Sequence, residues 1–169
     1  MNIRLASEAD LPTLAQLYRQ TVLVNAPQYY SAAQTRMWAA APADADHFHR
    51  FVLAANTFVA ESDRGILGFA GIREDGHVAS AYVRHDCIRQ GIGSALMQAV
   101  LSYAQSRNIG RLYAEASEFS LGLFKKFGFR LYDTEVVMRQ GVEFERYLVE
   151  RYLNGCQRGS PIRNRETTS

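Results

Sequence analysis

Val78–Val83, with the sequence VASAYV, is followed by RHDCIRQGIGSALM over residues 84–97. The first six residues are mostly apolar, end in an aromatic and a β-branched residue, and follow the turn signal Glu74-Asp75-Gly76, a pattern that predicts a strand. Beyond the second glycine, apolar residues recur every four positions, which predicts a helix over residues 92–106. The predicted apolar stripe of this helix comprises Ile92, Leu96, Val100 and Ala104.

The loop between this strand and this helix contains Gly91 and Gly93. Backbone N–H groups in such a loop can converge at the positive end of the helix dipole, where a phosphate is the usual ligand. A dinucleotide fingerprint would need Gly or Ala at the position of Leu96, and a nucleotide-hydrolase phosphate loop would need a lysine, which residues 84–97 lack. The loop is therefore predicted to be an anion site of another kind.

Two motifs carry a family resemblance. Val83, six further residues and then QGIGSAL at residues 90–96 are similar to the acyl-CoA loop of the GNAT superfamily of N-acetyltransferases. Later in the chain, Ala116-Ser117 and the sequence LFKKFGF at residues 123–129 resemble that family's later helix, which ends in Gly-Phe. Two motifs in this order are more specific than either alone. The alternative is purely structural: the loop glycines relieve a tight turn, and the glycine of the second motif ends a helix.

Hydrophobic periodicity and turn signals over the whole chain predict the order β-α-α-α-β-β-β-α-β-α-β-β, which is an α+β layout. One hairpin spans residues 57–73 and leads into the strand at 78–83, and a second hairpin turns at Gln140-Gly141. Because a helix connects the strands that start at Val78 and Arg111, these strands are predicted to be parallel neighbours. The resemblance implies a GNAT-like mixed, largely antiparallel β-sheet of about seven strands, flanked by helices, with this parallel pair at its centre.

The resemblance covers residues 1–152, which are predicted to form one N-acetyltransferase domain. Residues 153–169 are predicted to form a disordered C-terminal tail, because Gly, Pro, Ser, Thr and Arg dominate there without apolar periodicity. The formal net charge of +2 arises in this tail, since the residues before it include as many basic as acidic side chains. A neutral body disfavours nucleic acid as a partner.

Cysteine usage and hydropathy indicate the compartment. Cys87 and Cys156 form no C-x-x-C pair, and no apolar run approaches the ~20 residues of a membrane span. With an N-terminus unlike a signal peptide, these features predict a cytoplasmic protein that has no membrane partner. His47 and His49 fall on different faces of a predicted helix, so no metal site is expected. The oligomeric state stays open, with a homodimer among the options.

The resemblance implies acetyl-CoA as the cosubstrate and assigns most of its site to main-chain groups. In the family, the strand before the loop splays from the next strand and pairs with the pantetheine arm, and here its residues are Ala81, Tyr82 and Val83. The loop N–H groups would hold the pyrophosphate, with Arg84 or Arg89 adding charge, although Ile88 occupies the position where the family often has Arg or Gln. The loop residues are Arg89, Gln90, Gly91, Ile92, Gly93 and Ser94. The later helix would contribute Ser117, Ser120 and Phe124.

The implied reaction is direct attack of a primary amine on the acetyl thioester, and an amine of pKa ~10 must first lose a proton. Glu115 is the first candidate for the general base, with Glu61 and Glu118 as alternatives. Phe124 stands where the family commonly has a Tyr that protonates the departing thiolate, but a thiol with a pKa near ~8.5 leaves tolerably without an acid. Ser117 is predicted to contact the cofactor or a water near the sulfur. Other candidate donors are Tyr113, Tyr132 and Tyr147.

Tyr29, Tyr30 and Trp38 lie in the region that forms one wall of the acceptor cleft in the resembled family. Aromatic residues at helical spacing are more often part of the core, so a core role is the alternative. No residue there has a chemical signature that identifies the acceptor, which is expected to be a small-molecule amine or a protein or peptide amino group. The competing function is a catalytically weak or inactive acyl-CoA-binding regulatory domain, which Phe124 favours because it lacks a hydroxyl.

Overall fold

The computed structural model describes residues 1–153. The strands are β1 (Asn2–Leu5), β2 (Asn56–Ser62), β3 (Gly65–Ile72), β4 (Val78–Val83), β5 (Arg111–Ala116), β6 (Arg130–Arg139) and β7 (Val142–Tyr152). The α-helices are α1 (Leu11–Asn25), α2 (Ala32–Ala39), α3 (Ala45–Leu53), α4 (Ile92–Ser106) and α5 (Leu121–Lys126). The predicted order of strands and helices is confirmed, and the bounds of β4 and α4 agree with the sequence prediction.

The strands form two antiparallel sheets instead of one. The first sheet has the order β1-β2-β3-β4, and the second has the order β5-β7-β6. The predicted α+β layout with largely antiparallel pairing is confirmed, but the single seven-stranded sheet with a central parallel pair is wrong. Between β4 and β5 the described chain has one isolated parallel bridge, which joins His77 to Tyr113, and beside it the Tyr113 N–H donates to the Gly76 carbonyl at 3.1 Å.

The two sheets are separate because β4 and β5 form their main-chain hydrogen bonds with different strands. β4 pairs with β3, and β5 pairs with β7. The β3–β4 register shifts between Gly71 and Ile72, and a bulge of this kind bends and twists a strand. All six residues of β5 pair with β7. Since the bridge pairs His77, just before β4, with Tyr113 in the first half of β5, a gap opens between β4 and β5 toward their carboxyl ends, beside the start of α4.

Helices cover both faces of the first sheet. The apolar stripe of α4 packs on one face together with buried residues of β5, and α1 to α3 pack on the other face around Val59 and Phe69. Leu96, Met97 and Val100 of α4 are at most 2% exposed, and burying one such side chain stabilises the fold by about 1.5–3 kcal/mol. This packing fixes the start of α4 relative to the gap.

The C-terminal end of the described chain is attached to the second sheet. The Leu153 N–H donates to the Gly110 carbonyl at 2.9 Å. Apart from Leu153, the predicted tail lies outside the described residues. Within residues 1–153, none of the helices is long and apolar enough to cross a membrane.

Candidate active site

The gap between β4 and β5 opens into a cavity of about 1270 Å³. Segments around α1 and α2, the loop before α4, the start of α5 and the β6–β7 hairpin all line it. Most of the residues that the sequence proposes for the cofactor, the chemistry or the acceptor line this one cavity: Tyr29, Tyr30, Trp38, Ala81, Tyr82, Val83, Arg89, Gly91, Gly93, Ser94, Glu115, Ser117, Ser120 and Phe124.

The loop before α4 has a left-handed backbone at two positions, with φ of 59° at Arg89 and 83° at Gly91. Alternation of this kind turns successive N–H groups toward one side and creates an anion-binding concavity. Glycine adopts a positive φ without strain, whereas Arg89 does so at a cost. The side chains of Gln90 and Ile92 do not line the cavity, since Gln90 is exposed and Ile92 packs in the core. Only the main chain at these two positions is available to a ligand there.

The edge of β4 that faces the gap presents main-chain groups. The Arg84 N–H donates to the Leu67 carbonyl at 2.8 Å, so every second residue upstream directs its main-chain groups toward β3. The intervening residues, Ala81 and Val83, therefore direct theirs toward β5 and the gap. Thr21 Oγ1 donates to the Val83 carbonyl at 3.2 Å.

Glu115 reaches the cavity from β5, whose alternate residues Ala114 and Ala116 are buried against α4. Its Oε2 lies 2.6 Å from Nε2 of His77, and their side chains are 27% and 24% exposed. The hydrogen bond with His77 lowers the pKa of Glu115 and outweighs desolvation, which acts in the opposite direction. The carboxylate is therefore ionised at neutral pH, so it can accept a proton, but its lowered pKa makes it a weaker base than a free carboxylate.

The two alternative carboxylates differ in position. Glu61 pairs with Arg4 at 3.0 Å on the β1–β2 side of the sheet and does not line the cavity. Glu118 lines the cavity and accepts a hydrogen bond from the Tyr147 hydroxyl. Within residues 1–153, no group of three or more His, Cys, Asp and Glu side chains is arranged to hold a metal ion.

The hydroxyls of the two serines before α5 accept hydrogen bonds from main-chain N–H groups of the same turn. Ser117 Oγ accepts from the N–H groups of Phe119 and Ser120, each at 3.2 Å, and Ser120 Oγ accepts from the Ser117 N–H at 2.9 Å. These bonds close the turn that starts α5, so both hydroxyls have a structural role although they also line the cavity. Phe124 is 3% exposed and packs edge-to-face on Phe129 with ring centroids 5.0 Å apart.

The three tyrosines proposed as donors do not line the cavity. Tyr113 donates to Asp75 at 2.7 Å, and this bond raises its pKa to about 12. The hydrogen bond from Tyr147 to Glu118 likewise raises the pKa of Tyr147 to about 12. Tyr132 lies on β6 with 41% of its surface exposed. Tyr82 of β4, which the sequence singled out only for its backbone, also lines the cavity, and its ring stacks on Phe69 with the centroids 5.3 Å apart.

The predicted acceptor residues belong to one aromatic cluster. The rings of Tyr30 and Trp38 pack edge-to-face at 5.3 Å, and Trp38 Nε1 donates to the Tyr82 hydroxyl at 3.1 Å. Phe119 lies 5.2 Å from the ring of Tyr29 and 6.2 Å from that of Tyr30. Tyr29 is 61% exposed, which is too much for a core residue, whereas Tyr30 and Trp38 are half-buried.

Sequence reasoning missed Lys126 of α5, whose Nζ lies 2.8 Å from Ser94 Oγ beside the loop. The second motif contains two adjacent lysines, and only Lys126 lines the cavity. Helical spacing is a signal that distinguishes them, because Lys126 lies three residues after Leu123, which also lines the cavity. His77 was missed as well, since its contact with Glu115 joins residues 38 positions apart.

Comparison with known proteins identifies the family. A family model described as "Acetyltransferase (GNAT) domain" matches residues 27–150. The peptidyl-lysine N-acetyltransferase YiaC of Escherichia coli (strain K12) is 31% identical over 106 residues. That match covers 63% of this chain and 66% of YiaC, so it spans just under two thirds of the relative's length.

Solved structures share the fold. A GCN5-related N-acetyltransferase from Rhodopseudomonas palustris is similar with a TM-score of 0.86 at 22% identity, over 90% of this chain and 95% of that one. The PaiA N-acetyltransferase from Thermoplasma acidophilum, solved in complex with coenzyme A, gives 0.73 at 16% identity over 90% and 100% of the chains. YncA from Salmonella typhimurium, solved with acetyl-CoA, gives 0.66 at 19% over 95% and 98%. Because the family model matches most of its length, the chain belongs to the GNAT acetyltransferase family.

Proposed function

We propose that this chain transfers an acetyl group from acetyl-CoA to a primary amine, of a small molecule or of a protein or peptide, by direct attack of the amine on the thioester. The observation that carries the proposal is the gap between β4 and β5. It joins the anion-binding loop, an open main-chain edge and an ionised carboxylate in one cavity. These are the parts that such a transfer requires.

The residues of the cavity fit acetyl-CoA. A Cβ at Gly91 would meet no other atom within 4 Å, so this part of the loop faces open space that a pyrophosphate can approach closely. Arg89 and Lys126 add positive charge at the same end. Ala81 and Val83 offer main-chain groups that suit the amides of a pantetheine arm, as in the addition of a strand to a sheet edge.

In the proposed reaction, Glu115 takes the proton from the bound ammonium, directly or through water, and its hydrogen bond to His77 orients it. Acetyl-CoA supplies an acyl group already activated as a thioester. The main-chain N–H of Val83, at the end of β4, would polarise the thioester carbonyl, since the main-chain groups of Tyr82 are directed toward β3. The amine nitrogen then bonds to the acetyl carbon as the carbon–sulfur bond breaks, and the second proton that the nitrogen loses passes to solvent or to the released thiolate. Ser117 and Ser120 line the path of the pantetheine arm.

Departure of the thiolate is the step for which the side chains of the cavity provide the weakest proton donor. Phe124 has no hydroxyl and is buried against Phe129. The Tyr82 hydroxyl accepts a hydrogen bond from Trp38 Nε1, and burial raises the pKa of Tyr82, which makes it a weaker acid. Since a thiol has a pKa near ~8.5, the thiolate leaves without a proton at neutral pH.

The names of the relatives support an amine acceptor without choosing one. YiaC is a peptidyl-lysine N-acetyltransferase, and the Rhodopseudomonas and Thermoplasma proteins are N-acetyltransferases. A direct test mixes the purified chain with acetyl-CoA and a panel of amines, lysine peptides and aminoglycosides while free thiol is monitored. Amine-dependent thiol release is expected, and silence with the whole panel would refute the proposal.

The second candidate function is a weak or inactive acyl-CoA-binding regulatory domain, which the buried Phe124 favours. This alternative predicts that acetyl-CoA raises the melting temperature through preferential binding to the folded state, whereas no amine is acetylated. Thermal melting and thiol release, measured on the same preparation, separate the two functions.

A further inference from the structure

Two hydrogen bonds cross the acceptor side of the cavity, which is the side that contains Tyr29, Tyr30 and Trp38. Gln34 Nε2, on α2, donates to the Glu143 carbonyl of β7 at 2.7 Å. The Glu118 N–H, in the segment between β5 and α5, donates to the Tyr30 hydroxyl at 3.1 Å. Both bonds link the α1–α2 region, which forms one wall of the cavity, to the second sheet and the segment before α5, which form the other wall. They limit how far these two walls can separate.

Aromatic rings line the approach between these walls. Tyr30 contacts both Trp38 and Phe119, at centroid distances of 5.3 and 6.2 Å, and Phe144 of β7 lines the same cavity. The Tyr30 and Trp38 rings pack edge-to-face, whereas the Tyr30 and Phe119 rings are tilted by 32°. Apolar ring surface suits a methylene chain, and ring faces attract a cation. A branched or polycyclic acceptor would have to displace rings that pack on one another.

Negative charge is concentrated at the same rings. Glu118 and Glu145 line the same cavity as Tyr30, and the Glu118 N–H donates to the Tyr30 hydroxyl. Burial is the main cause that raises the pKa of Tyr30, and the charges of the two carboxylates raise it further. Two arginines also line this side, but Arg146 pairs with Glu135, and Arg139 lies at the turn of the hairpin. The cavity thus has an acidic, aromatic end opposite the basic end at the loop.

We infer that the acceptor side selects a primary ammonium group at the end of an unbranched alkyl chain, as in a lysine side chain or a linear diamine. This inference rests on the proposed function and narrows its acceptor class. The methylene chain lies along the surface that Tyr30, Trp38 and Phe119 present to the cavity, and the carboxylates of Glu118 and Glu145 attract the cation before Glu115 removes the proton.

The test compares kcat/KM for four acceptors: 1,5-diaminopentane, a lysine-containing peptide, an α-branched alkylamine and an aminoglycoside. The two unbranched acceptors are expected to exceed the other two by at least about tenfold, which is the discrimination that one or two misplaced carbons produce in an apolar pocket. The ratio of kcat/KM for the peptide to kcat/KM for the diamine identifies which source of the alkylammonium group is preferred.

Variants test the assigned residues. Phe119→Ala widens the approach between the two walls of the cavity. In this variant, the ratio of kcat/KM for unbranched amines to kcat/KM for branched amines is expected to fall about tenfold. Glu118→Gln is expected to raise KM for the diamine about fivefold, the size of a partly exposed cation contact. Val136→Ala removes a 61% exposed apolar side chain from β6, outside the cavity, and is the matched control for the loss of apolar surface.

Equal use of branched and unbranched amines, or a preference that Phe119→Ala leaves unchanged, would overturn this inference and leave the proposed function standing. If acetyl-CoA raised the melting temperature but no amine in the panel was acetylated, the proposed function and this inference would both fail.

Discussion

His77 Nε2 lies 2.6 Å from Glu115 Oε2, and the His77 ring stacks on Tyr113 at a centroid distance of 5.0 Å. His77 also takes part in the one parallel bridge that joins the two sheets within residues 1–153. The contact between the sheets therefore also holds the proposed base, at the point from which β4 and β5 diverge.

Glu115→Gln is expected to reduce kcat by about 10²–10⁴-fold, because the amide cannot accept the proton of the ammonium. Affinity for coenzyme A, measured by calorimetry, is expected to stay within about twofold, since the loop and the β4 edge are untouched. The comparison variant is Glu61→Gln, which alters a carboxylate outside the cavity and should retain kcat. Full activity of Glu115→Gln would remove Glu115 from the mechanism.

His77→Ala is expected to raise the pKa of Glu115, because the hydrogen bond that lowers it is lost while desolvation remains. A group with a lowered folded-state pKa stabilises the fold above its unfolded pKa, and this contribution disappears as pH falls through the folded value. The variant should therefore lose stability relative to wild type near neutral pH, and the difference should shrink below about pH 4.5.

The measurements are denaturant unfolding at several pH values and carboxyl NMR titration of Glu115. His49→Ala is the matched control, because it breaks a 3.0 Å contact with Glu8 on an exposed surface. An unchanged Glu115 titration in His77→Ala would show that the contact does not control this carboxylate.

Gly91→Ala separates the role of the loop in binding from its role in folding. Gly91 and Gly65 have nearly equal φ, 83° and 86°, and a Cβ at either position would meet no atom within 4 Å. Each alanine variant should therefore lose about 1–2 kcal/mol of stability from the left-handed backbone. Gly91→Ala alone is expected to weaken coenzyme A binding, by at least about tenfold if one charge-assisted bond is lost. Equal coenzyme A affinity in the two variants would mean that the loop does not hold the phosphate.

Sequence reasoning succeeds where local signals determine the structure. The strand Val78–Val83, the helix Ile92–Ser106 and the strand Arg111–Ala116 occupy the predicted positions, because each has a clear period and a turn on either side. The family motifs add the loop. Together these local elements account for the anion-binding end of the cavity.

The structural features that sequence reasoning misses depend on strand pairing and side-chain contacts between segments that are distant in sequence. The divergence of β4 from β5 follows from a register shift opposite Gly71 and from the pairing of β5 with β7, and neither feature has a signature in the residues of β4. The contacts of Trp38 with Tyr82 and of Tyr30 with the segment at Glu118 likewise join residues 44 and 88 positions apart. Individual aromatic and acidic residues could be proposed, but their arrangement could not.

Lys126→Ala is expected to weaken coenzyme A binding by up to about fivefold, as an exposed ammonium near a phosphate contributes at most about 1 kcal/mol. Its Nζ lies 2.8 Å from Ser94 Oγ in the first turn of α4, where it adds charge that Ile88 cannot supply. The difference from wild type should diminish as salt screens the contact. Lys125→Ala is the matched control, because the neighbouring lysine does not line the cavity and its loss changes the net charge equally. Calorimetric titration at two ionic strengths measures both effects, and equal losses in the two variants would indicate only a general effect of charge.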